Sequence, residues 1–400
     1  MKKLGVYILT VFLAFVMFIP AFACTIVMMS DTDHVLAGSN EDSHFRLTKI
    51  WFTPGEGEYF SRVELGYDFG KNSVQGGMNE MGLFLDGNSL GTQDWKPDTT
   101  KPYTQGAFFD THHATCADLD DVKEYFNTYN VPALNNARIP FLDGSGASMV
   151  VEWYAGEVVF LESDESYQVA TNFIKSGVSD EDVACWRYNN AINVVKNAPG
   201  ASVEVVRDAL KAAHQNFDYS KTVYSFICDL KAGDIYVYNY FDFDTPIVYN
   251  LHEEIIDGYK EYYLGSEFEH TKKYKKYLRS GIADMVEFGY RRNNLGVALF
   301  FYDLHKEKYV SEFGINVKPS DLSGLACEIM EEGYSDRALV LFERNTVEFP
   351  ENFKVHFAYA KALEEAGKND EAIAAYNRSL EIRSWCLRAK RAIRRLESEH

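Results

Sequence analysis

Cys24 stands directly behind Ala21-Phe22-Ala23, a small-x-small tripeptide of the kind at which leader segments are cut. A cut after Ala23 would leave a thiol and a free α-amine on one residue. With an unperturbed pKa of roughly 7.7 to 8.0, part of such an amine is unprotonated near neutral pH and can take the thiol proton. Nucleophile and base then come from a single residue, no histidine is required, and attack on a carbonyl carbon gives an acyl-thioester on Cys24. Two plainer fates compete for the same residue: a lipid anchor, which would block thiol and amine together, or an ordinary buried cysteine opening a strand. Lipid-attachment sites usually carry leucine three residues before the cysteine, and here that position is Ala21.

The segment ahead of Cys24 has the order of a secretory leader: Lys2 and Lys3, an apolar run from Leu4 to Ile19, then Pro20 and the cleavage tripeptide. The run is shorter than the roughly 20 residues a membrane span needs. Residues 1–23 are therefore expected to be removed, and the protein to be secreted or periplasmic with no stable membrane span. Loss of Lys2 and Lys3 leaves 38 basic against 59 acidic residues, a formal charge of −21. Such a field repels phosphate backbones and anionic lipid surfaces, and it argues against nucleic acid as a partner. The six cysteines, Cys24, Cys116, Cys185, Cys228, Cys327 and Cys386, form no C-x-x-C pair, so neither a zinc ribbon nor a disulfide framework is expected. His112-His113 are adjacent and point apart on a strand or helix, and His252-Glu253-Glu254 has no second histidine near it; neither pattern suits a metal, and no cofactor is expected.

Residues 24–250 must supply the elements that hold Cys24. A short apolar strand from Cys24 to Met29 is followed by the turn Ser30-Asp31-Thr32-Asp33 and a second strand, His34 to Gly38. Ala147–Trp153 with Val158–Glu162, and Val223–Leu230 with Ile235–Tyr240, flank glycine-containing turns and predict two hairpins. Ser179 with Asp182 resembles a capping box, predicting a helix through Ala184, Tyr188, Ala191 and Val195 that Pro199 stops. A second helix is predicted from Val203 to Ala213, with Ser202 before it. Hairpins mixed with amphipathic helices point to an α+β layered domain. Residues 251–318, rich in Tyr, Phe, Lys and Glu, are expected to be a helical connection. In residues 319–400, Gly333, Asp336, Ala338 and Phe342 are echoed 34 positions later by Gly367, Asp370, Ala372 and Tyr376, the tetratricopeptide period. Pro350 should end the first repeat, and Ser384 to Glu397 should form a polar capping helix.

Six segments carry a resemblance behind this leader: Cys24-Thr25, Gly38-Ser39-Asn40-Glu41-Asp42, Gly77 to Leu83, Asp143-Gly144-Ser145-Gly146 with Val151-Glu152-Trp153, Thr171-Asn172-Phe173 and Trp186-Arg187-Tyr188. In that order, over about residues 24 to 245, the chain resembles the cysteine-type N-terminal-nucleophile (Ntn) hydrolases, the broad family of choloylglycine hydrolases, penicillin V acylases and isopenicillin-N acyltransferases. The resemblance implies an αββα layered sandwich, to which the repeats add an all-α region. It implies Cys24 as nucleophile, Asp42 as the carboxylate that orients its α-ammonium, Asn172 as an oxyanion donor, and Arg187 as a charged support. Asn88 is a second oxyanion candidate, with Ser89 the neighbour onto which the match could slip. One departure stands out: bile-salt and penicillin V members commonly have arginine where this chain has Ser39, which puts a bile-salt substrate in doubt.

The reading favoured is an exported hydrolase of linear amides that takes a small acyl-amide substrate through Cys24, with hydrolysis and acyl transfer both open. The alternative is an inactive domain in a secreted or lipid-anchored repeat protein whose helices bind a peptide or partner protein. Substrate selection is expected from the loop Leu90 to Thr111, with Trp95 and Tyr103.

Overall fold

The computed structural model describes residues 24–104, 108–217, 220–268 and 272–398; the expected leader, residues 1–23, lies outside the described residues. Seven strands come first: β1 (Thr25–Ser30), β2 (Val35–Ser43), β3 (Thr48–Thr53), β4 (Arg62–Asp68), β5 (Asn72–Asn79), β6 (Phe84–Asp86) and β7 (Asn88–Ser89). Helices α1 (Phe108–Thr115) and α2 (Leu119–Thr128) follow, then strands β8 (Ala137–Leu142), β9 (Ser148–Tyr154), β10 (Glu157–Glu162) and β11 (Tyr167–Ala170). Helices α3 (Trp186–Lys196) and α4 (Val203–Ala213) precede β12 (Asn216–Phe217), β13 (Ser220–Asp229), β14 (Asp234–Asn239) and β15 (Asp242–Asn250). A short α5 (Leu251–Glu254), β16 (Lys260–Tyr263) and α6 (Leu264–Glu267) lead into the helical half.

Two sheets face each other. One runs β11-β1-β2-β13-β14-β15 with β12 beside β13; the other runs β10-β9-β8-β6-β5-β4-β3-β16 with β7 beside β8. Strand alternation explains the layers, because successive side chains leave a strand on opposite faces. On β1 and β2, Ile26, Met28, Val35 and Ala37 join Phe52, Leu65, Met78 and Phe84 of the second sheet in the inter-sheet core. The alternate residues Val27, Met29 and Leu36 meet Ala191, Val195, Val206 and Leu210 of α3 and α4. On the far side, Leu85, Ile139, Phe141 and Val151 bury Val122 and Phe126 of α2. Helices therefore cover both outer faces, the αββα sandwich that the sequence resemblance implied. Each of these buried Val, Leu, Ile, Met and Phe side chains stabilises the sandwich by about 1.5–3 kcal/mol.

Helix α4 approaches β2 closely because residue 38 is glycine: a β-carbon there would lie 2.8 Å from Val206 Cγ1. Ser202 accepts the Val205 N–H and so caps α4 as its sequence suggests. The helix predicted to open at Ser179 begins instead at Trp186. Ser179 Oγ bonds the Asp182 carboxylate at 2.6 Å, leaving only a 3₁₀ turn over Asp180–Asp182. Val183 then turns extended, and the Asn189 side chain binds its carbonyl at 2.9 Å. β2 also runs further than expected, through Ser43, so the Gly38–Asp42 segment is strand throughout and buried.

The rest of the described chain is all-helical: α7 (Lys272–Arg292), α8 (Leu295–Phe313), α9 (Ser320–Glu331), α10 (Ser335–Glu348), α11 (Phe353–Glu365), α12 (Asn369–Ile382) and α13 (Leu387–Ser398). α10 and α12 begin and end 34 residues apart, each preceded by a glycine in the left-handed region, Gly333 and Gly367. Ala338 and Ala372 are buried at equivalent contacts, Phe342 and Tyr376 fill the space beside them, and α10 ends just before Pro350. The 34-residue echo is thus a repeated helical hairpin. α7 and α8 fix this half to the sandwich: Tyr277, Met285 and Phe301 enter the inter-sheet core, and the Arg46 guanidinium lies 4.0 Å from the Tyr277 ring and pairs with Asp284.

Candidate active site

The register Thr25↔Asn40 between β1 and β2 brings Glu41 level with Cys24. Cys24 Sγ faces the inter-sheet space and donates to Glu41 Oε2 at 3.5 Å. Ser39, on the same face as Glu41, donates to its other oxygen at 3.4 Å, and Tyr67 Oη is 3.5 Å from Oε2. Asp86, at the end of β6, completes a buried acidic group there; Gly76 opposite leaves the space, since a β-carbon on it would lie 2.4 Å from Asp86 Oδ2. Burial and the carboxylates of Glu41, Asp86 and Asp42 push the Cys24 thiol pKa up, opposed by the backbone N–H of Asp42. Burial, with the Asp86 charge, also raises Glu41, and burial pushes Asp86 to about 8.

Asp42 leaves the strand on the helix side. It accepts from Gln215 Nε2 at 2.6 Å and from Thr222 Oγ1, and lies 3.9 Å from Arg187 Nη1. Burial pushes its carboxyl up to about 7 against these partners. Arg187, in the first turn of α3, is the hub of this side. Its Nη1 donates to the Cys24 carbonyl at 2.7 Å and to Thr25 Oγ1 at 3.1 Å, while Nη2 donates to Asn172 Oδ1 at 2.9 Å. Asn172 Nδ2 in turn donates to the Ser89 carbonyl at 2.8 Å. Asn88 Nδ2 donates to the Cys24 carbonyl at 3.3 Å. Five residues singled out in the sequence, Cys24, Asp42, Asn88, Asn172 and Arg187, thus meet through direct contacts around residue 24. Ser89 contributes a backbone carbonyl, and the carboxylate nearest the sulfur is Glu41, because alternation turns Asp42 to the opposite face.

The remaining motif residues build the frame. Asn79 accepts from the Met81 and Leu83 N–H groups and donates to the His113 and Cys116 carbonyls, tying the β5–β6 turn to α1; Gly82, at φ +80°, closes that turn. This turn sets the height of Asp86 and Asn88. Buried Glu152 faces Arg138 at 3.4 Å and accepts the Lys175 and Ser176 N–H groups, while Arg138 Nη1 holds the Phe173 carbonyl at 2.7 Å. The loop carrying Asn172 is therefore clamped just beyond it. Trp95 meets the rings of Tyr103 and Trp153, which folds the part of the expected loop from Trp95 to Tyr103 back over β9; its residues 105–107 lie outside the described residues.

Asp86, Gln215 and Thr222 were not foreseen. An acid ending the apolar run Leu83-Phe84-Leu85, two residues before Asn88, was a readable signal for Asp86. Gln215 and Thr222 carried none. His112 and His113 are buried structural groups: His112 Nδ1 bonds the Phe108 carbonyl at 2.7 Å, and His113 Nδ1 bonds Glu64 at 3.2 Å.

The layers, the sheet order and a cysteine at the head of an inner strand define the Ntn-hydrolase fold. Two variants of a conjugated bile acid hydrolase from Clostridium perfringens align with this chain at TM-scores of 0.50 and 0.51, with 16% and 15% identity. Each alignment covers 62% of this chain and 97% or 99% of the hydrolase chain. Penicillin V acylase from Agrobacterium tumefaciens aligns at a TM-score of 0.45 and 16% identity, over 56% of this chain and 84% of its own. No family model matches the chain, and no curated protein matches it. The likeness is one of fold, and more than a third of this chain lies outside each of the two hydrolase alignments.

Proposed function

We propose that this chain is an exported amidase of the Ntn type, acting on linear amides through Cys24. Cleavage after Ala23 frees the α-amine, which takes the thiol proton as the sulfur attacks the substrate carbonyl. The C–S bond forms, the C–N bond breaks, the leaving amine takes that proton, and water then hydrolyses the thioester. Negative charge developing on the carbonyl oxygen is met by the side-chain amide groups of Asn172 and Asn88, each of which already lies in the network around residue 24. Arg187 holds Asn172 and the Cys24 carbonyl in one geometry, and Asp42 balances its charge. Hydrolysis and acyl transfer share this acyl-enzyme and differ in whether water or an amine resolves it.

The observation that carries this reading is the cluster of four side chains around residue 24, contributed by β2, β7, α3 and the loop after β11: Asn88 and Arg187 bond its carbonyl, and Asn172 and Asp42 hold Arg187. It is tested with the processed chain and its Cys24→Ala and Cys24→Ser variants on penicillin V, conjugated bile acids and N-acyl amino acids. Intact mass of the mature protein reports whether residue 24 is its unmodified first residue. Turnover by the wild type that the alanine variant retains in full sinks the proposal.

A further inference from the structure

Charge is unevenly distributed in this acidic chain. From Arg383 to Ser398 there are six basic residues against one acid, Glu397, although the whole protein carries −19. Helix α13 turns Ala389, Ala392, Ile393 and Leu396 into the repeat core and leaves Arg388, Lys390, Arg391, Arg394 and Arg395 exposed. At 100° per residue, Lys390, Arg391 and Arg394 fall on the side opposite the buried stripe, with Leu387 at the head of the same row. Arg395 pairs with Glu364, whereas Lys390, Arg391 and Arg394 have no ion pair among the described residues. Just ahead of the helix, Trp385 is 66% exposed and Leu387 63% exposed. Trp385 is not loose: the Arg383 guanidinium lies 3.5 Å from its ring and 4.3 Å from the ring of Phe353.

We propose that this face of α13, with Trp385 and Leu387, docks the protein onto an anionic phospholipid surface. The cations form a row along the exposed face of α13, which fits a plane of phosphates better than a single peptide. Tryptophan and a basic row at one end of a helix are what the interface between headgroups and acyl chains accommodates. The acidic remainder does not cancel the attraction, because charges further than about 8 Å are screened at physiological ionic strength while the row lies at the surface. The proposal is independent of the chemistry at Cys24.

The test is sedimentation of the purified full chain with vesicles of phosphatidylcholine alone or of phosphatidylcholine and phosphatidylglycerol at 2:1, in about 0.15 M and in about 0.5 M salt. Any retained Leu4–Ile19 leader binds both vesicles through apolar contact, so the readout is the difference between them. Binding is expected to the anionic vesicles, weakened at least tenfold by high salt and by the triple variant Lys390→Glu, Arg391→Glu, Arg394→Glu, and weakened by Trp385→Ala. Lys96→Glu, an exposed change on the sandwich, should leave it unaltered. Circular dichroism verifies that each variant is folded. Equal binding to both vesicles, no effect of the triple variant, or capture of a poly-glutamate peptide or a second copy of the chain in place of vesicles would overturn the proposal.

Discussion

Replacing Arg187 by methionine removes one guanidinium that touches the Cys24 carbonyl, Thr25 Oγ1, Asn172 Oδ1 and, at 3.9 Å, Asp42. Breaking a buried ion pair by deleting one partner costs about 3–5 kcal/mol, because the other charge stays buried alone. The Asp42 carboxyl, already raised to about 7, would rise further without the cation. A carboxyl whose folded pKa exceeds its unfolded value of 3.8 binds a proton more tightly when folded, so its contribution to stability falls as pH rises from about 4 through the folded pKa. In Arg187→Met that fall extends to higher pH. The destabilisation should therefore be larger at pH 8, at about 3–5 kcal/mol, than at pH 5, where a protonated Asp42 needs no cation. Arg187→Lys keeps the charge but cannot span Cys24 and Asn172 with one planar fork, so it should recover stability better than turnover. Urea unfolding of the three proteins at both pH values, followed by circular dichroism, measures this. A loss in Arg187→Met below about 0.5 kcal/mol at pH 8, or one equal at both pH values, refutes the reasoning.

Three further outcomes are expected. Asp86→Asn removes a buried carboxyl raised to about 8 whose Oδ2 has no hydrogen-bond partner among the described residues, so it should stabilise the protein by about 1–3 kcal/mol at pH 8 and flatten the decline in stability between pH 4 and 8, read from thermal midpoints. Asn172→Ala should lower kcat by about a hundredfold or more on any amide that the wild type hydrolyses, while far-ultraviolet circular dichroism stays the same. In the chain before cleavage, iodoacetamide should label buried Cys24 at least tenfold more slowly than exposed Cys327 at pH 7.5, and cleavage should accelerate the Cys24 reaction; peptide mass mapping that finds no such acceleration counts against activation by the α-amine.

Where local pattern alone decides structure, the sequence was a good guide. The hairpins β9–β10 and β13–β14 have alternating β-branched and aromatic runs around short turns, and helix α4 has both its cap and its stripe. The helical repeat was legible because its two copies carry glycine, alanine and aromatic side chains at equal spacing. Ser179 misled because its hydroxyl bonded the Asp182 side chain rather than a backbone N–H, a competition that spacing cannot foretell. The order of strands in the sheets, which sets β13 beside β2 and so brings Thr222 to Asp42, depends on pairings far apart in sequence. For the same reason the place of Glu41 beside the sulfur was invisible: Glu41 and Asp42 are adjacent acids, and only the register of β1 on β2 decides which one faces the thiol.

Strand β1 is hydrogen-bonded on both edges, to β2 through Thr25↔Asn40 and to β11 through Ile26↔Ala170. A newly made chain end ordinarily frays, since nothing pulls on it from either flank. Here the end that proteolysis would create is already sewn into the fabric on both sides, so the reactive group would gain its freedom to ionise without gaining freedom to wander.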